Sequence, residues 1–330
     1  TPFEEKNPAR RLSPDRLLTQ CRSIITLAIP YASVNPLLSG SAEGLRGMVA
    51  RCARSIDYHH FVGYKAENIV ALIKKNVQST FNYRILCDRS PLVERELAFN
   101  AGLGRIGENC TLINAQYGSY TALGTILLDV EITADNPIEQ TCNNCGKCRD
   151  ACPTGAITEP FVINPYRCLS YLTQAAGIFP RELRPQLGKQ IYGCDRCQEA
   201  CPDNLAAECS PFPELAFPLF PAEPLLIPLL TITQREFDLT IGRTSAGWRG
   251  KTTLQRNAVI ALGNSGDRSA VLSLTRLLEN DSRPLIRLHA AWALGRIGEA
   301  NAYFALEKSQ KKDPDPAVRE EADLALKNCN

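Results

Sequence analysis

The sequence lacks long apolar runs, a large net charge and a recognisable export signal. No apolar run approaches the roughly 20 residues that a helix needs to span a bilayer; the run from Ser23 to Ile29, for example, lies between Arg22 and Pro30. The formal net charge is only +2 over 330 residues, so no global field draws the chain to nucleic acid. Because the chain begins at Thr1 rather than Met, we expect a native N-terminal segment to be missing. These absences predict a soluble protein that does not enter a membrane.

Cysteine, by contrast, is abundant and concentrated. Of the 14 cysteines, seven fall into two short runs. The first run reads Cys142-x2-Cys145-x2-Cys148-x3-Cys152-Pro153. This is the spacing of a bacterial ferredoxin loop, in which three thiolates hold one 4Fe-4S cluster and the fourth ligates a neighbouring cluster. The first run therefore implies a second cluster.

The second run supplies part of what the other cluster needs. It reads Cys194-x2-Cys197-x3-Cys201-Pro202, with Ile191 where a ferredoxin has its first ligand. Exchange of the last thiolate of each run gives one cluster the ligands Cys142, Cys145, Cys148 and Cys201, and the other cluster Cys152, Cys194 and Cys197. We expect Cys168 to complete the second set because it lies between the runs; Cys209, in a proline-rich stretch beyond them, is the alternative.

Two zinc sites or a disulfide framework could also use pairs of cysteines at this spacing. Zinc needs only four ligands per site, however, and rarely takes three cysteines at a strict three-residue step that ends in Cys-Pro. The scattered Cys21, Cys52, Cys87, Cys110 and Cys329 show no pairing pattern and are typical of reduced thiols. We therefore predict two 4Fe-4S clusters and a cytoplasmic location.

The residues ahead of the cysteine runs predict an α+β domain. Strands are predicted at Ser23–Ile29, Tyr83–Cys87 and Tyr120–Val130, and a helix from about Gly63 to Val77. The pattern Gly102-x-Gly104-x-x-Gly107 has the letters of a dinucleotide-binding fingerprint. It follows a predicted helix and precedes a strand, so we reject that site and keep a tight glycine turn that brings the backbone close to a cofactor or a packed element.

Asp88 follows the second predicted strand, just ahead of Ser90, which has the position of an N-cap before a helix-opening proline. This carboxylate is either a second capping group, which the sequence alone favours, or a general acid at the mouth of a pocket. Asp57-x-His59 followed by Gly63 comes within one residue of a motif that places histidine on cobalt. Because the spacing is off, we interpret the histidines there as hydrogen-bonded groups near a helix start.

The C-terminal part of the chain repeats every 32 residues. Ala258-x-x-Ala261-Leu262 recurs at Ala290 and Ala322, and Asp281, Pro284 and Arg287 recur as Asp313, Pro316 and Arg319. Such a period predicts stacked helix pairs of the HEAT type. The predicted domains are an N-terminally incomplete α+β domain at 1–135, a ferredoxin-like double-cluster domain at 136–210, a proline-rich linker and connecting segment at 211–250, and HEAT-like repeats at 251–330.

This order of domains resembles that of the epoxyqueuosine reductases, cobalamin enzymes akin to reductive dehalogenases that make the last step of queuosine in tRNA. The resemblance covers nearly the whole chain. Its most specific pieces are Asp57-Tyr58-His59, Ala101-Gly102-Leu103-Gly104, the run from Cys142 to Pro153, Tyr192-Gly193-Cys194-Asp195, Trp248-Arg249-Gly250-Lys251 and Gln255-Arg256-Asn257.

The resemblance implies a monomeric enzyme that removes the epoxide oxygen with two electrons, relayed by the clusters from an external low-potential donor. Asp88 would be the proton donor, and a pocket that excludes water would raise its pKa and keep it protonated near neutral pH. The N-terminal domain would bind cobalamin, with Arg11, Ala50, Asp88, Leu112, Leu123, Ser170 and Asp195 near the corrin. Arg95 would face the tRNA.

One stretch near the start of the repeats is predicted to bind the anticodon stem-loop of tRNA. No acidic residue lies between Leu239 and Gly266, whereas Trp248 and four basic residues do: Arg243, Arg249, Lys251 and Arg256. By charge alone this could equally be an ordinary solvated face. The resemblance favours RNA, since an unstacked base of a loop can be turned into a pocket.

Two other functions share parts of this pattern. An electron-transfer module would explain the cysteines and the repeats. It would not give a function to Asp88, the glycine turn or the N-terminal domain. A reductive dehalogenase would share the clusters and cobalamin but gives no reason for HEAT-like repeats.

Overall fold

The computed structural model describes residues 3–32, 43–77, 80–88 and 90–327, so that Cys329 lies outside the described residues. The chain divides into two compact units. Of the described residues, the first unit takes those within 3–32, 55–166 and 195–218, and the second takes 43–54, 167–194 and 219–327. The chain therefore passes between the units several times.

The described strands are β1 Ser23–Pro30, β2 Met48–Val49, β3 Tyr83–Leu86, β4 Arg105–Ile106, β5 Leu112–Ile113, β6 Thr121–Leu128, β7 Ile157–Glu159, β8 Val162–Ile163 and β9 Gln190–Tyr192. The described helices up to the end of the proline-rich segment are α1 Pro8–Arg11, α2 Tyr58–Asn76, α3 Glu94–Asn100, α4 Lys147–Asp150, α5 Leu169–Leu172, α6 Arg184–Leu187, α7 Arg196–Glu199, α8 Pro202–Leu205, α9 Pro213–Ala216 and α10 Leu226–Thr231. They are followed by α11 Gln234–Leu239, α12 Gly250–Ser265, α13 Val271–Asn280, α14 Pro284–Ile297, α15 Ala300–Lys312 and α16 Pro316–Lys327. Short 3₁₀ turns occupy Pro14–Arg16, Arg51–Ala53, Arg181–Leu183, Ile241–Arg243, Ser245–Arg249 and Arg268–Ala270.

The first unit is built on an antiparallel sheet in the order β1-β6-β3. The central strand β6 is fully buried from Ile126 to Leu128, and helix α2 packs on it. Gly124 permits this close packing, because a Cβ at that position would lie 2.3 Å from Cγ1 of Val62 on the helix. The three strands predicted for this region are confirmed with shifts of one or two residues at their ends.

Two helix starts differ from the predictions. Helix α2 begins at Tyr58 rather than near Gly63, because the Asp57 side chain caps it by accepting a hydrogen bond from the His59 N–H. Helix α3 begins only at Glu94, and the Ser90 hydroxyl accepts from the N–H of Leu92 in a local turn. The prediction that Ser90 caps the helix is therefore wrong.

The glycine segment forms a hairpin-like pair of strands rather than a nucleotide loop. Strands β4 and β5 pair antiparallel, and no helix opens after Gly107. A Cβ on Gly104 would lie 2.5 Å from the carbonyl oxygen of Ile113, so the two backbones approach too closely for any side chain there. The rejection of a dinucleotide site and the expected close approach are both confirmed.

The second unit pairs β2 with β9 and continues into the stacked helices α12 to α16. The 32-residue period has a direct packing cause. Gly263 and Gly295 occupy equivalent positions, and a Cβ on either would fall within 2.8 Å of the next repeat, at Ala293 and Ala325 respectively. Arg287 also reaches into the next repeat, where its Nε lies 2.8 Å from Oδ2 of Asp313. Within the part of the chain that the structure describes, no helix has the length and apolar character needed to cross a membrane.

Candidate active site

Asp88 lies directly beyond strand β3 in the first unit, at a backbone φ of 53°. This left-handed conformation is uncommon for any residue but glycine, although Asp tolerates it better than most. The Tyr58 hydroxyl donates a hydrogen bond to Oδ2 of Asp88, and Nε2 of His59 lies 3.5 Å from the same oxygen. The Asp88 side chain nevertheless remains 46% exposed. The carboxylate is thus oriented by α2 but still open to a substrate.

His59 lies between two carboxylates. Its Nδ1 is 2.6 Å from Oδ1 of Asp57, its Nε2 faces Asp88, and its ring stacks on Tyr58 at 4.3 Å between centroids. Burial by itself would lower the pKa of His59, but the hydrogen bonds and charges of Asp57 and Asp88 outweigh it and raise that pKa to about 9. His59 therefore carries a proton at neutral pH. The interpretation of a hydrogen-bonded histidine near a helix start is confirmed for this residue.

The pKa of Asp88 moves opposite to the expectation from the sequence. Burial raises it, as predicted, but the hydrogen bonds from His59 and Tyr58 more than offset that effect and leave the Asp88 pKa below its ordinary value. The expectation that a dry pocket keeps Asp88 protonated is wrong for this arrangement. The neighbouring side chains of His59 and Glu94 hold the protons instead.

Glu94 is the second proton-bearing neighbour of Asp88. Its Oε1 and Oε2 lie 3.0 and 3.2 Å from the Asp88 backbone nitrogen, whose N–H they accept. Burial, and then the negative charge of Asp88, raise the pKa of Glu94 to about 8. Two carboxyl groups this close do not both ionise readily.

The four cysteines predicted to share one cluster line a single small cavity in the first unit. The cavity is lined by Cys142, Cys145, Cys148 and Cys201, together with Gly107, Glu108, Asn109, Ile113, Asn143, Pro202 and Asp203. Four thiols around one cavity are the donor set that a 4Fe-4S cluster requires. The hairpin-like pair β4-β5 forms one wall of this cavity, which gives the glycine segment its structural role.

Charged side chains surround this cysteine cavity. Glu108 is 3% exposed, and its Oε2 lies 3.9 Å from Sγ of Cys148 and 3.5 Å from Nε of Arg149. Burial and the Glu108 carboxylate raise the pKa of the Cys148 thiol to about 11. On the other side, Asp203 lies 3.6 Å from Sγ of Cys201 and is paired with a buried arginine.

The remaining cluster cysteines are divided between the two units. Cys152 and Cys197 belong to the first unit, whereas Cys168 and Cys194 belong to the second. Although burial disfavours a thiolate at Cys152, hydrogen bonds from the Thr154 hydroxyl and from backbone N–H groups outweigh it and lower its pKa. Cys168 directly precedes α5, and the alternative ligand Cys209 is exposed.

The residues that the resemblance places near a corrin are buried or half-buried, except for the 46% exposed Asp88. In the first unit, Nε of Arg11 is buried and has no hydrogen-bond partner among the described residues. The Leu123 carbonyl lies 3.2 Å from Sγ of Cys87, one residue before Asp88. Leu112 is buried on β5, and the buried Asp195 precedes α7.

The other two corrin candidates lie in the second unit. Ala50 is 4% exposed, and its Cβ would be only 2.4 Å from a Cβ added to Gly193, which has a φ of +66°. The Ser170 carbonyl accepts a hydrogen bond from Nε2 of Gln174 at 2.8 Å.

The predicted RNA-binding residues separate into surface and interior positions. Trp248 is 50% exposed, its ring is covered by the Arg249 guanidinium at 4.7 Å, and Lys251 is half-buried. Arg95 is exposed in the first unit and donates a hydrogen bond to the Cys110 carbonyl.

Arg256, by contrast, is 1% exposed. Its guanidinium donates to the backbone carbonyls of Leu172, Ala175 and Gly177 and to the side chain of Asn257. A side chain so enclosed cannot reach a phosphate, so the prediction that Arg256 contacts RNA is wrong. It ties the first repeat helix to the α5 region.

Comparison with known proteins identifies the family. A family model described as "Epoxyqueuosine reductase QueG" matches residues 11–89, which contain both Asp57-Tyr58-His59 and Asp88. The epoxyqueuosine reductase of Bacillus subtilis is 38% identical over 297 residues, covering 88% of this chain and 75% of the relative. This chain belongs to the epoxyqueuosine reductase family. The Escherichia coli member is 34% identical over 289 residues, with 86% and 74% covered.

Other family models and solved structures agree with the family assignment. A double 4Fe-4S cluster-binding model matches residues 141–204, and a HEAT-repeat model matches residues 250–327. An epoxyqueuosine reductase solved with an epoxyqueuosine-modified tRNA-Tyr stem loop aligns at a TM-score of 0.92 and 36% identity, covering 99% of this chain and 87% of that one. A Bacillus subtilis structure whose aspartate-bearing catalytic loop is swung out of the active site aligns at 0.93 and 36%, with 99% and 87% covered. The chain is thus an α+β member of the family with a double-cluster segment and HEAT repeats.

Neither the role of Glu94 nor the proton held by His59 follows from the sequence pattern. Glu94 lies in the first turn of a predicted helix that follows Asp88, and a carboxylate there is ordinarily explained by the helix dipole. The available signal was its place six residues after a candidate acid, close enough to fold back on it. Only the geometry shows that its carboxyl group faces the Asp88 backbone.

Proposed function

We propose that this protein reduces epoxyqueuosine to queuosine in tRNA. The observation that carries the proposal is the carboxylate of Asp88, held half-exposed between two proton-bearing side chains in a chain of the epoxyqueuosine reductase family. The relatives are named for this reaction, and one of them was solved with an epoxyqueuosine-modified tRNA stem loop.

The reaction needs both electrons and protons. Loss of the epoxide oxygen as water, with formation of a carbon–carbon double bond, consumes two electrons and two protons. An external low-potential donor would deliver the electrons through two 4Fe-4S clusters. We assign Cys142, Cys145, Cys148 and Cys201 to one cluster and Cys152, Cys168, Cys194 and Cys197 to the other.

We further propose that the first unit helps to hold cobalamin. When bound, cobalamin supplies the metal that delivers electrons to the epoxide. The residues proposed to lie near it are Arg11, Ala50, Asp88, Leu112, Leu123, Ser170 and Asp195. The buried, unpartnered Nε of Arg11 supports the presence of a group with hydrogen-bond acceptors, since a buried N–H without a partner is costly.

Asp88 would deliver protons to the substrate oxygen. The Tyr58 hydroxyl fixes the direction of its carboxylate, and the protonated His59 lies 3.5 Å away. Asp88, which is ionised at rest, would take a proton from His59 and pass it to the substrate oxygen. The acid of this site is the pair of Asp88 and His59 rather than a single dry carboxyl.

The tRNA would be bound by surface residues from two regions of the sequence, one around Arg95 and one between Leu239 and Gly266. Arg95, Trp248, Arg249 and Lys251 remain candidates, whereas Arg256 serves the fold. The domain division at 1–135, 136–210, 211–250 and 251–330, the monomeric state and the cytoplasmic location remain predictions.

The test uses protein prepared without oxygen, loaded with cobalamin and given a strong chemical reductant. We expect corrin bands in its visible spectrum and conversion of epoxyqueuosine to queuosine in tRNA, detected by mass spectrometry of the nucleosides. Clusters without corrin binding or conversion would instead indicate an electron-transfer module.

Iron analysis tests the cluster ligands. Two clusters require about eight iron and eight sulfide per chain. Cys168→Ala should lose iron from one cluster only, and Cys209→Ala should lose none. Iron lost from Cys209→Ala alone would make Cys209 the ligand.

A further inference from the structure

We propose that Glu94 is the positioning residue of Asp88: its carboxyl group holds the Asp88 backbone N–H and thereby keeps the Asp88 side chain turned toward Tyr58 and His59. This inference rests on the proposed role of Asp88 in proton transfer.

The backbone of Asp88 needs an interaction that holds it in place. Its φ of 53° is a conformation that costs a non-glycine residue free energy unless surrounding contacts maintain it. The Tyr58 hydrogen bond acts on the side chain, and the two Glu94 oxygens at 3.0 and 3.2 Å act on the backbone nitrogen. Among the described contacts of Asp88, Glu94 supplies the hydrogen bond that fixes the peptide itself.

Glu94 is anchored as the first residue of α3, and the same helix buries Ala98 against the first unit. A short, packed helix therefore positions the carboxyl group, and only five residues of chain connect Asp88 to Glu94. Loss of this hydrogen bond would leave the segment between β3 and α3 without its backbone attachment at Asp88.

The charge balance favours a hydrogen bond that can also be released. The ionisable groups that face Glu94 are Asp88, beyond strand β3, and His59 on α2. Asp88 repels an ionised Glu94, whereas His59 attracts it. The Asp88 N–H favours an ionised Glu94 as its acceptor, whereas burial and the negative charge of Asp88 oppose that ionisation.

The test compares Glu94→Ala, Glu94→Asp and Glu94→Gln in protein that carries its clusters and cobalamin. Alanine removes the acceptor, and aspartate keeps the charge at the helix start but is one methylene too short. Glutamine keeps an oxygen at the same reach. Glu96→Ala, in the same first turn and exposed, is the matched control. Amide hydrogen exchange of the peptide around Asp88 reports the position of the backbone, and turnover of modified tRNA reports the chemistry.

We expect faster exchange and a loss of turnover of about 10- to 100-fold in Glu94→Ala and Glu94→Asp, the range for a backbone donor left without its acceptor. Glu94→Gln should recover both properties, and Glu96→Ala should match the parent. Iron content and the corrin spectrum should not change in any of them.

Unchanged exchange and turnover in both Glu94→Ala and Glu94→Asp would overturn the role of Glu94, while an inactive Asp88→Asn would leave the proposed function in place. Faster exchange with full turnover, together with an active Asp88→Asn, would instead overturn the role of Asp88. Failure of Glu94→Gln to recover turnover would overturn positioning in favour of a direct proton role for Glu94.

Discussion

Two histidines show how differently the two units use the same side chain. His289, in the second unit, is fully buried; its Nε2 accepts from the Phe179 N–H at 3.2 Å, and its Nδ1 lies 2.7 Å from the Leu285 carbonyl. Burial, and then the nearby Arg184, lower its pKa well below the ordinary value, so it stays neutral. His59, between two carboxylates, has a raised pKa of about 9. The partners of a histidine, more than its burial, decide whether it stores a proton or supports the fold.

The charged groups around these histidines follow the same division. Arg184 is 1% exposed in the second unit, and its guanidinium pairs with Glu321 at 2.9 Å. Arg256 is satisfied by backbone carbonyls. Around Asp88, by contrast, two carboxyl groups face each other and one of them is half-exposed. The charged groups around His289 stabilise a fixed structure, whereas the groups around Asp88 can exchange protons.

The largest expected effect comes from removing the carboxylate of Asp88, which lies beside His59. Asp88→Asn keeps the size of the side chain but cannot pass on a proton, so turnover should fall by about 10² to 10⁴. The measurement is the anaerobic conversion of epoxyqueuosine-modified tRNA, with iron content and corrin spectrum as controls. Near-normal turnover would return Asp88 to a purely structural role.

His59→Gln should lower turnover by about 10- to 100-fold through loss of a charged hydrogen-bonding partner. Because the folded pKa of about 9 lies above the ordinary 6.5, the parent keeps this proton below about pH 9 and should lose activity as the pH rises through that value. The stability gained from the same ion pairs is fully present below pH 6.5 and is lost by about pH 9.

A pH–rate profile checks the His59 prediction. Glu94, with a pKa raised to about 8, titrates in the same range. The alkaline loss of activity belongs to His59 only if it disappears in His59→Gln and persists in Glu94→Gln. Persistence of that loss in His59→Gln would contradict the assignment.

The matching change in the second unit should affect stability instead of chemistry. His289→Leu leaves the Phe179 N–H without an acceptor in the interior, which should cost about 1 to 3 kcal/mol of unfolding free energy. Turnover of the folded fraction should match the parent. Thermal unfolding measures the first effect, and loss of turnover without loss of stability would break the comparison between the units.

The smallest expected effect concerns the surface of the second unit. Arg249→Ala with Lys251→Ala should reduce the salt dependence of tRNA binding by about 0.7 to 0.9 in logarithmic slope for each lost phosphate contact. Arg276→Ala, which removes an exposed positive charge elsewhere in the unit, is the control. Equal tRNA affinities and equal salt slopes in the double variant and the parent would exclude this surface as the tRNA-binding site.

The features that could be predicted from the sequence are those fixed by local spacing. The strand Ser23–Pro30 follows from a run of β-branched residues, and the repeats follow from a 32-residue period, which the structure shows as Gly263 against Ala293 and Gly295 against Ala325. The predicted start of α2 near Gly63 comes too late, because Asp57 caps the helix and Phe61 and Val62, ahead of Gly63, already belong to its buried face. Arg256 was misread because a basic residue in a stretch without acids looks exposed until its carbonyl partners are known.

The sequence by itself determined the two cysteine runs, the helical repeats and the family motifs, because each depends on residues a few positions apart on one stretch of chain. The tertiary structure alone decided that Tyr58 and His59, at the start of α2, meet Asp88 beyond β3. That meeting depends on the close packing of α2 over Gly124 and on the register that places Leu86 opposite Thr125. The direction of each pKa follows from these long-range neighbours, which is why the proton is found on His59 and Glu94 rather than on Asp88.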